Sequence, residues 1–240
     1  QDLDLALKTF MKLTTDFKNS LFYASAKLKL GLVYYMQKND IAAIDILKNV
    51  IAEFPNTNTS QEALHVIKNI YTEIGQANQF LELIENVEHD YTKADLDSST
   101  YYSAELQYMQ GNYQNAIKSL SSYLSYYPKG LFYLESHYYL YKSHEALGDL
   151  ESAMNALSII VNKQQNKYTI EGLLNLARMS FDLEKYISSE MYFSQLLEIA
   201  SEIEFKKEAI MGLLESKFNL NQYNDIVLSI AHLVKDDLFS

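Results

Sequence analysis

The sequence contains no cysteine and no tryptophan, only two prolines, and one arginine among its twenty basic residues. Without cysteine there is no disulfide, no thiolate nucleophile and no thiolate-bound zinc, whichever compartment the chain occupies. With so little proline, few positions interrupt a helix. The solitary arginine, Arg178, leaves the chain almost without the bidentate forks that grip phosphate, and the formal charge is −11. Nucleic acid is therefore not expected as a partner.

Long apolar runs are missing as well. A membrane-spanning helix needs roughly 18 uninterrupted apolar residues, yet apolar stretches such as 157–161 run straight into Asn162 and Lys163. No transmembrane segment is expected. Catalytic signatures are equally scarce, with no glycine-rich phosphate loop and no Gly-x-Ser-x-Gly elbow. His137 and His144 stand seven apart, whereas zinc on a helix wants histidines three or four apart with a third ligand. Carboxylates such as Glu198, Glu202, Glu204, Asp236 and Asp237 read as solvated helix faces. The expectation is a non-enzymatic chain with no catalytic residue, no cofactor and no metal.

What the sequence does have is apolar material, 48% of its residues, and a period. The triplets Gly111-Asn112-Tyr113, Gly148-Asp149-Leu150, Glu184-Lys185-Tyr186 and Asn221-Gln222-Tyr223 recur at intervals of 37, 36 and 37 residues. Carried backwards, the same interval lands on Gly75-Gln76-Ala77 and Lys38-Asn39-Asp40. Glycine readily takes the left-handed conformation that ends a helix, and Asn or Asp can cap the next, so each triplet marks a tight turn within a helical hairpin. Leu28, Leu32 and Tyr35 keep helical spacing before the first such turn; Ile41, Ile44, Leu47, Ile51 and Phe54 keep it afterwards. Pro55 and Pro128 close second helices.

These spacings predict helices near 3–17, 21–37, 40–54, 60–75, 77–88, 97–110, 113–127, 131–147, 150–164, 168–183, 186–201, 205–220 and 223–236. The organisation expected is one domain, 1–240, comprising a half repeat (1–20) and repeats near 24–60, 61–96, 97–133, 134–169, 170–206 and 207–240. Small residues at Gly31, Ala43, Ala104, Ala116, Ala153 and Ala177 would let crossing helices approach. The second and sixth units depart from this pattern: Lys68 and Leu214 stand where a small residue is expected, Phe80 and Ile226 where alanine is. The chain opens at Gln1 in the middle of a repeat and is expected to be a fragment of a longer protein.

Leu30-Gly31, Tyr34, Ala43, Leu47 and Pro55 resemble the tetratricopeptide repeat consensus, as do Ala104, Gly111, Ala116, Leu120 and Pro128. That family resemblance implies an all-α fold, a right-handed α-solenoid of tandem helix hairpins, about six and a half repeats long, that binds other proteins. The linkers Glu53-Phe54-Pro55-Asn56-Thr57 and Tyr126-Tyr127-Pro128-Lys129-Gly130 are similar to those of bacterial envelope proteins of the BamD-like and YbgF-like kinds. The likeness implies a periplasmic or outer-membrane-associated scaffold or adaptor. The alternative is a cytoplasmic regulatory or sensor module of a larger signalling or transcription protein.

In such a solenoid the first helices line the concave groove. By register, Tyr35, Tyr101, Glu105, Tyr108, Tyr138, Lys142, Arg178 and Phe181 face inward there. Tyrosine combines a large rigid surface with one hydrogen-bonding group, which suits recognition of a protein or peptide segment. The competing account of each ring is packing between repeats. Exposed repeat ends would also offer a route to self-association.

Overall fold

The computed structural model describes residues 2–228, and among them every regular element is helical. In order these are α1 (Leu3–Asp16), α2 (Tyr23–Met36), α3 (Asp40–Glu53), α4 (Asn58–Glu73), α5 (Ala77–Ile84) and α6 (Lys93–Met109), then α7 (Tyr113–Tyr126), α8 (Tyr133–Ala146), α9 (Leu150–Val161), α10 (Thr169–Asp182), α11 (Tyr186–Ile199) and α12 (Ile203–Asn219). Residues 223–228 enter a further helix; the rest of the predicted 223–236 helix, and with it the end of the sixth repeat, lies outside the described residues. No described helix is long and apolar enough to cross a membrane. The chain divides into two compact units, 1–136 and 137–240, and the described residues of each form an all-helical row of hairpins.

The period seen in the sequence is a period of backbone conformation. Lys38, Gly75, Gly111, Gly148, Glu184 and Asn221 all have positive φ, between 57° and 76°. At each of them the following N–H reaches five residues back, as from Asn39 to Tyr34 O at 2.9 Å and from Lys185 to Ser180 O at 2.8 Å. This left-handed closure satisfies carbonyls that the end of a helix leaves without intrahelical donors. Asn39 and Asp149 then cap the next helix through the N–H groups of Ala42 and Ser152.

Within the first unit, α2, α3 and α4 close around Leu47, Val50, Leu64, Ile67 and Ile70, all fully buried. Each such side chain removed from water stabilises the fold by roughly 1.5–3 kcal/mol. The close approach expected at Gly31 is present: a β-carbon there would lie 2.8 Å from the Leu47 side chain. Ile41 departs from expectation. Its spacing places it in the apolar stripe, but it occupies the first turn of α3 and is 85% exposed.

In the second unit α9, α10, α11 and α12 bury Leu157, Ile160, Leu176 and Leu196. Here the closest approach is made by Gly212, where a β-carbon would stand 2.2 Å from the Phe193 ring. At the position that alanine fills in other repeats, α11 has Ser189. Its hydroxyl donates to Ala177 O at 2.9 Å and accepts from Ser216 at 3.0 Å, so three helices share one buried chain of hydrogen bonds.

The irregular second repeat has a packing explanation. Phe80 is buried and takes the edge of the Tyr91 ring at 5.4 Å, while the Lys68 ammonium lies 4.7 Å from the same ring's centre. Helix α5 stops at Ile84 instead of running to 88, and the segment after it brings Tyr91 back against α4 and α5. Helix α6 then starts at Lys93, four residues before the predicted 97, because Thr92 and Asp95 form a reciprocal capping box.

Candidate protein-binding face

Helices α2, α4 and α6 in the first unit, and α8, α10 and α12 in the second, are the first helices of their hairpins. Among these first helices α2 touches α4, α4 touches α6 and α10 touches α12, and polar side chains span the contacts between neighbours. In the first unit the Tyr35 hydroxyl donates to Glu73 Oε1 at 2.5 Å, and Lys38 Nζ lies 3.8 Å from Glu73 Oε2. The hydrogen bond to Glu73, helped by partial burial, pushes the Tyr35 phenol up to about 12. In the second unit Tyr138 donates to Glu171 at 3.1 Å and stacks on Tyr168 at 4.4 Å. Arg178 is paired with Glu208.

The remaining predicted residues divide between face and core. Tyr101 is only 2% exposed. Its ring lies flat on Phe132 at 4.2 Å with an interplanar angle of 3°, and edge-on to Tyr123 at 5.8 Å. Phe132 reaches it from the turn after α7, so Tyr101 belongs to the interior and offers no open surface. Glu105 accepts the Tyr101 hydroxyl at 2.8 Å. Tyr108 is half-buried against Tyr113. Lys142 bonds Glu145 at 3.1 Å and sits 4.8 Å from the centre of the Tyr141 ring. Tyr141 is fully buried, and that burial, with its hydrogen bond to Glu145, raises its pKa strongly.

Two predicted residues share a cavity. Arg178 and Phe181 line a space of about 450 Å³ between α10 and α12, floored by Phe193 and Gly212. Asp182, Glu208, Met211 and Glu215 complete it. Sequence reasoning missed these last four, and it missed Glu73 and Glu171. Glu73, Glu171 and Glu208 share a signal, each lying about one repeat after the residue it meets: 38 residues after Tyr35, 33 after Tyr138 and 30 after Arg178.

The face therefore carries aromatic rings, one guanidinium, lysines and carboxylates, held by hydrogen bonds from one first helix to the next. Such groups supply area and directional polar contacts for a polypeptide.

The tetratricopeptide repeat model matches residues 25–57 and 99–130. No curated protein matches the chain. Among solved structures, MamA is 18% identical, with 70% of this chain and 93% of that one covered and a TM-score of 0.37. PilF of Pseudomonas aeruginosa is 12% identical over 90% of this chain and 93% of its own, with a TM-score of 0.40. The kinesin light chain repeats of Podosopora anserina are 17% identical over 73% and 93%, with a TM-score of 0.36. The two matched segments begin 74 residues apart, from 25 to 99, which is two periods of the hairpin array; over these segments the chain is similar to the tetratricopeptide repeat.

Proposed function

We propose that this chain is a scaffold or adaptor that holds a segment of another protein along the first-helix faces of its hairpins. Tetratricopeptide repeats generally mediate protein–protein interaction. The observation that carries the more specific reading is the cavity lined by Arg178 and Phe181 of α10, where Arg178 is paired with Glu208 of the next first helix. The linkers around Pro55 and Pro128 support placing the partner in the bacterial envelope.

The test is affinity capture from separated envelope and cytosolic extracts, with two variants alongside the unmodified chain. One carries Tyr35→Ala, Lys142→Glu and Arg178→Glu on first helices. The other carries Ile41→Ser and Ile187→Ser, at second-helix positions that are 85% and 74% exposed. An envelope protein lost with the first variant and kept by the second is the expected result. A cytosolic protein with the same behaviour would instead favour a regulatory module, and a partner lost only with the isoleucine variant would move the binding face to the second helices.

A further inference from the structure

The cavity between α10 and α12 has a chemistry that selects its occupant. Its floor exists because Gly212 has no side chain, which brings the α12 backbone down onto the Phe193 ring. Phe181 and Met211 add apolar wall, and Met211 is 51% exposed, a flexible thioether with one side uncovered. Three carboxylates, Asp182, Glu208 and Glu215, face a single cation, Arg178, so the lining has a formal charge of 1 − 3 = −2.

Arg178 is engaged by Glu208. Asp182 and Glu215 have no ion-pair partner among the described residues. A purely apolar occupant would strip water from these two carboxylates without replacing it, and an acidic one would add repulsion. A lysine or arginine side chain meets both halves of the site, because its aliphatic stem lies on apolar surface while its charged head stays with the carboxylates. The excess negative charge of the whole chain, −11, would also favour the approach of a cationic segment.

We infer that the cavity lined by Phe181, Asp182, Phe193, Met211 and Glu215 receives a lysine or arginine side chain of the bound segment, with an adjacent apolar residue against Phe181 and Met211. This rests on the proposal that the first-helix face binds polypeptide. It adds the class of partner, a basic segment with apolar residues interleaved.

The experiment is selection of a phage-displayed random twelve-residue peptide library on the immobilised chain, followed by fluorescence anisotropy of the selected peptides against the unmodified chain and Asp182→Asn/Glu215→Gln. Both substituted residues are exposed, and an unchanged thermal melt verifies that the variant is folded. Selected peptides should be rich in Lys or Arg next to Leu, Phe or Met, and should bind the variant about tenfold or more weakly, with the difference shrinking in high salt. Acidic or uncharged winners, an empty selection, or equal affinity for the variant would each overturn the inference. If the captured partner is lost with Tyr35→Ala/Lys142→Glu/Arg178→Glu yet binds Asp182→Asn/Glu215→Gln normally, the scaffold reading stands and the cavity assignment alone fails.

Discussion

The Tyr123 hydroxyl donates to Asp97 Oδ1 at 2.6 Å and itself accepts the Phe132 N–H at 3.0 Å. Asp97 Oδ2 takes the Leu131 N–H at 3.0 Å. Both side chains are buried, Tyr123 completely. Two residues on α6 and α7 thus satisfy the backbone that turns into α8, and burial with the Asp97 contact raises the Tyr123 pKa. Tyr123→Phe leaves the carboxylate and the Phe132 N–H short of a buried partner. It should lower stability by about 1–3 kcal/mol in urea denaturation, mainly through the midpoint rather than the slope.

The six left-handed turns make a paired prediction. A β-carbon at Gly111 or Gly148 meets nothing within 4 Å, so alanine there tests the dihedral alone. Each substitution should destabilise the chain by about 1 kcal/mol. Lys38→Gly and Glu184→Gly, at φ of 61° and 57°, remove a strained side-chain conformation and should be neutral or stabilising by up to about 1 kcal/mol. Chemical denaturation of the four variants measures both signs.

Gly212 and Phe193 should be strongly coupled. Gly212→Ala places a methyl group 2.2 Å from the Phe193 ring, and overpacking of this kind costs typically 1–3 kcal/mol. Leucine occupies the equivalent position in α3, α7 and α9, as Leu47, Leu120 and Leu157. Gly212→Ala combined with Phe193→Leu should therefore be more stable than Gly212→Ala alone, giving a non-additive double-mutant cycle.

Acid should weaken the second unit through His137. Burial, with a smaller contribution from Lys163, lowers its pKa to about 4, against an ordinary value near 6.5. The folded state resists charging this ring while the unfolded state accepts the proton. The stability that follows from keeping it neutral is complete above about pH 6.5 and is lost as pH falls toward 4. Thermal melts between pH 7 and 4 should show a steeper loss for the unmodified chain than for His137→Gln.

Alkali should act through Tyr35 in the opposite sense. Its raised pKa of about 12 means that the contribution of the neutral phenol is complete below about pH 10 and disappears between 10 and 12. Tyr35→Phe should flatten that part of the stability profile, as measured by denaturation at fixed pH.

How far the sequence is legible depends on whether a position is governed by the repeat or by a local exception. Turns at Gly75, Gly111 and Gly148 are readable because glycine favours the required φ, and Lys38, Glu184 and Asn221 follow by interval alone. Leu47 and Ala43 are readable as core because helical spacing places them against α2. Ile41 shares that spacing but sits in the first turn of its helix, beyond the reach of a neighbour. Tyr101 is misread because register gives its direction and not what covers it. The covering residue, Phe132, belongs to Leu131-Phe132-Tyr133, a triplet that also occurs as Leu21-Phe22-Tyr23 with Phe22 73% exposed. The hydroxyl that fixes the first triplet comes from Tyr123, and three periods earlier that place holds Leu13. The start of α6 was legible in Thr92-x-x-Asp95, a signal masked by extending the repeat period uniformly. The cavity at Arg178 was half legible, since Asp182 shares α10 with Arg178 and Phe181 while Glu208 and Glu215 come from the following hairpin.

The cross-helix ties described above are short in sequence, 38 residues from Tyr35 to Glu73, 33 from Tyr138 to Glu171 and 30 from Arg178 to Glu208. Contacts of that range close small loops, so the entropy of bringing partners together is modest at every step. Nucleation is then not confined to one place, and a hairpin can consolidate as soon as its neighbour has formed. During synthesis, each repeat can dock on the one before it while the next is still being translated, so apolar helix faces remain uncovered only briefly.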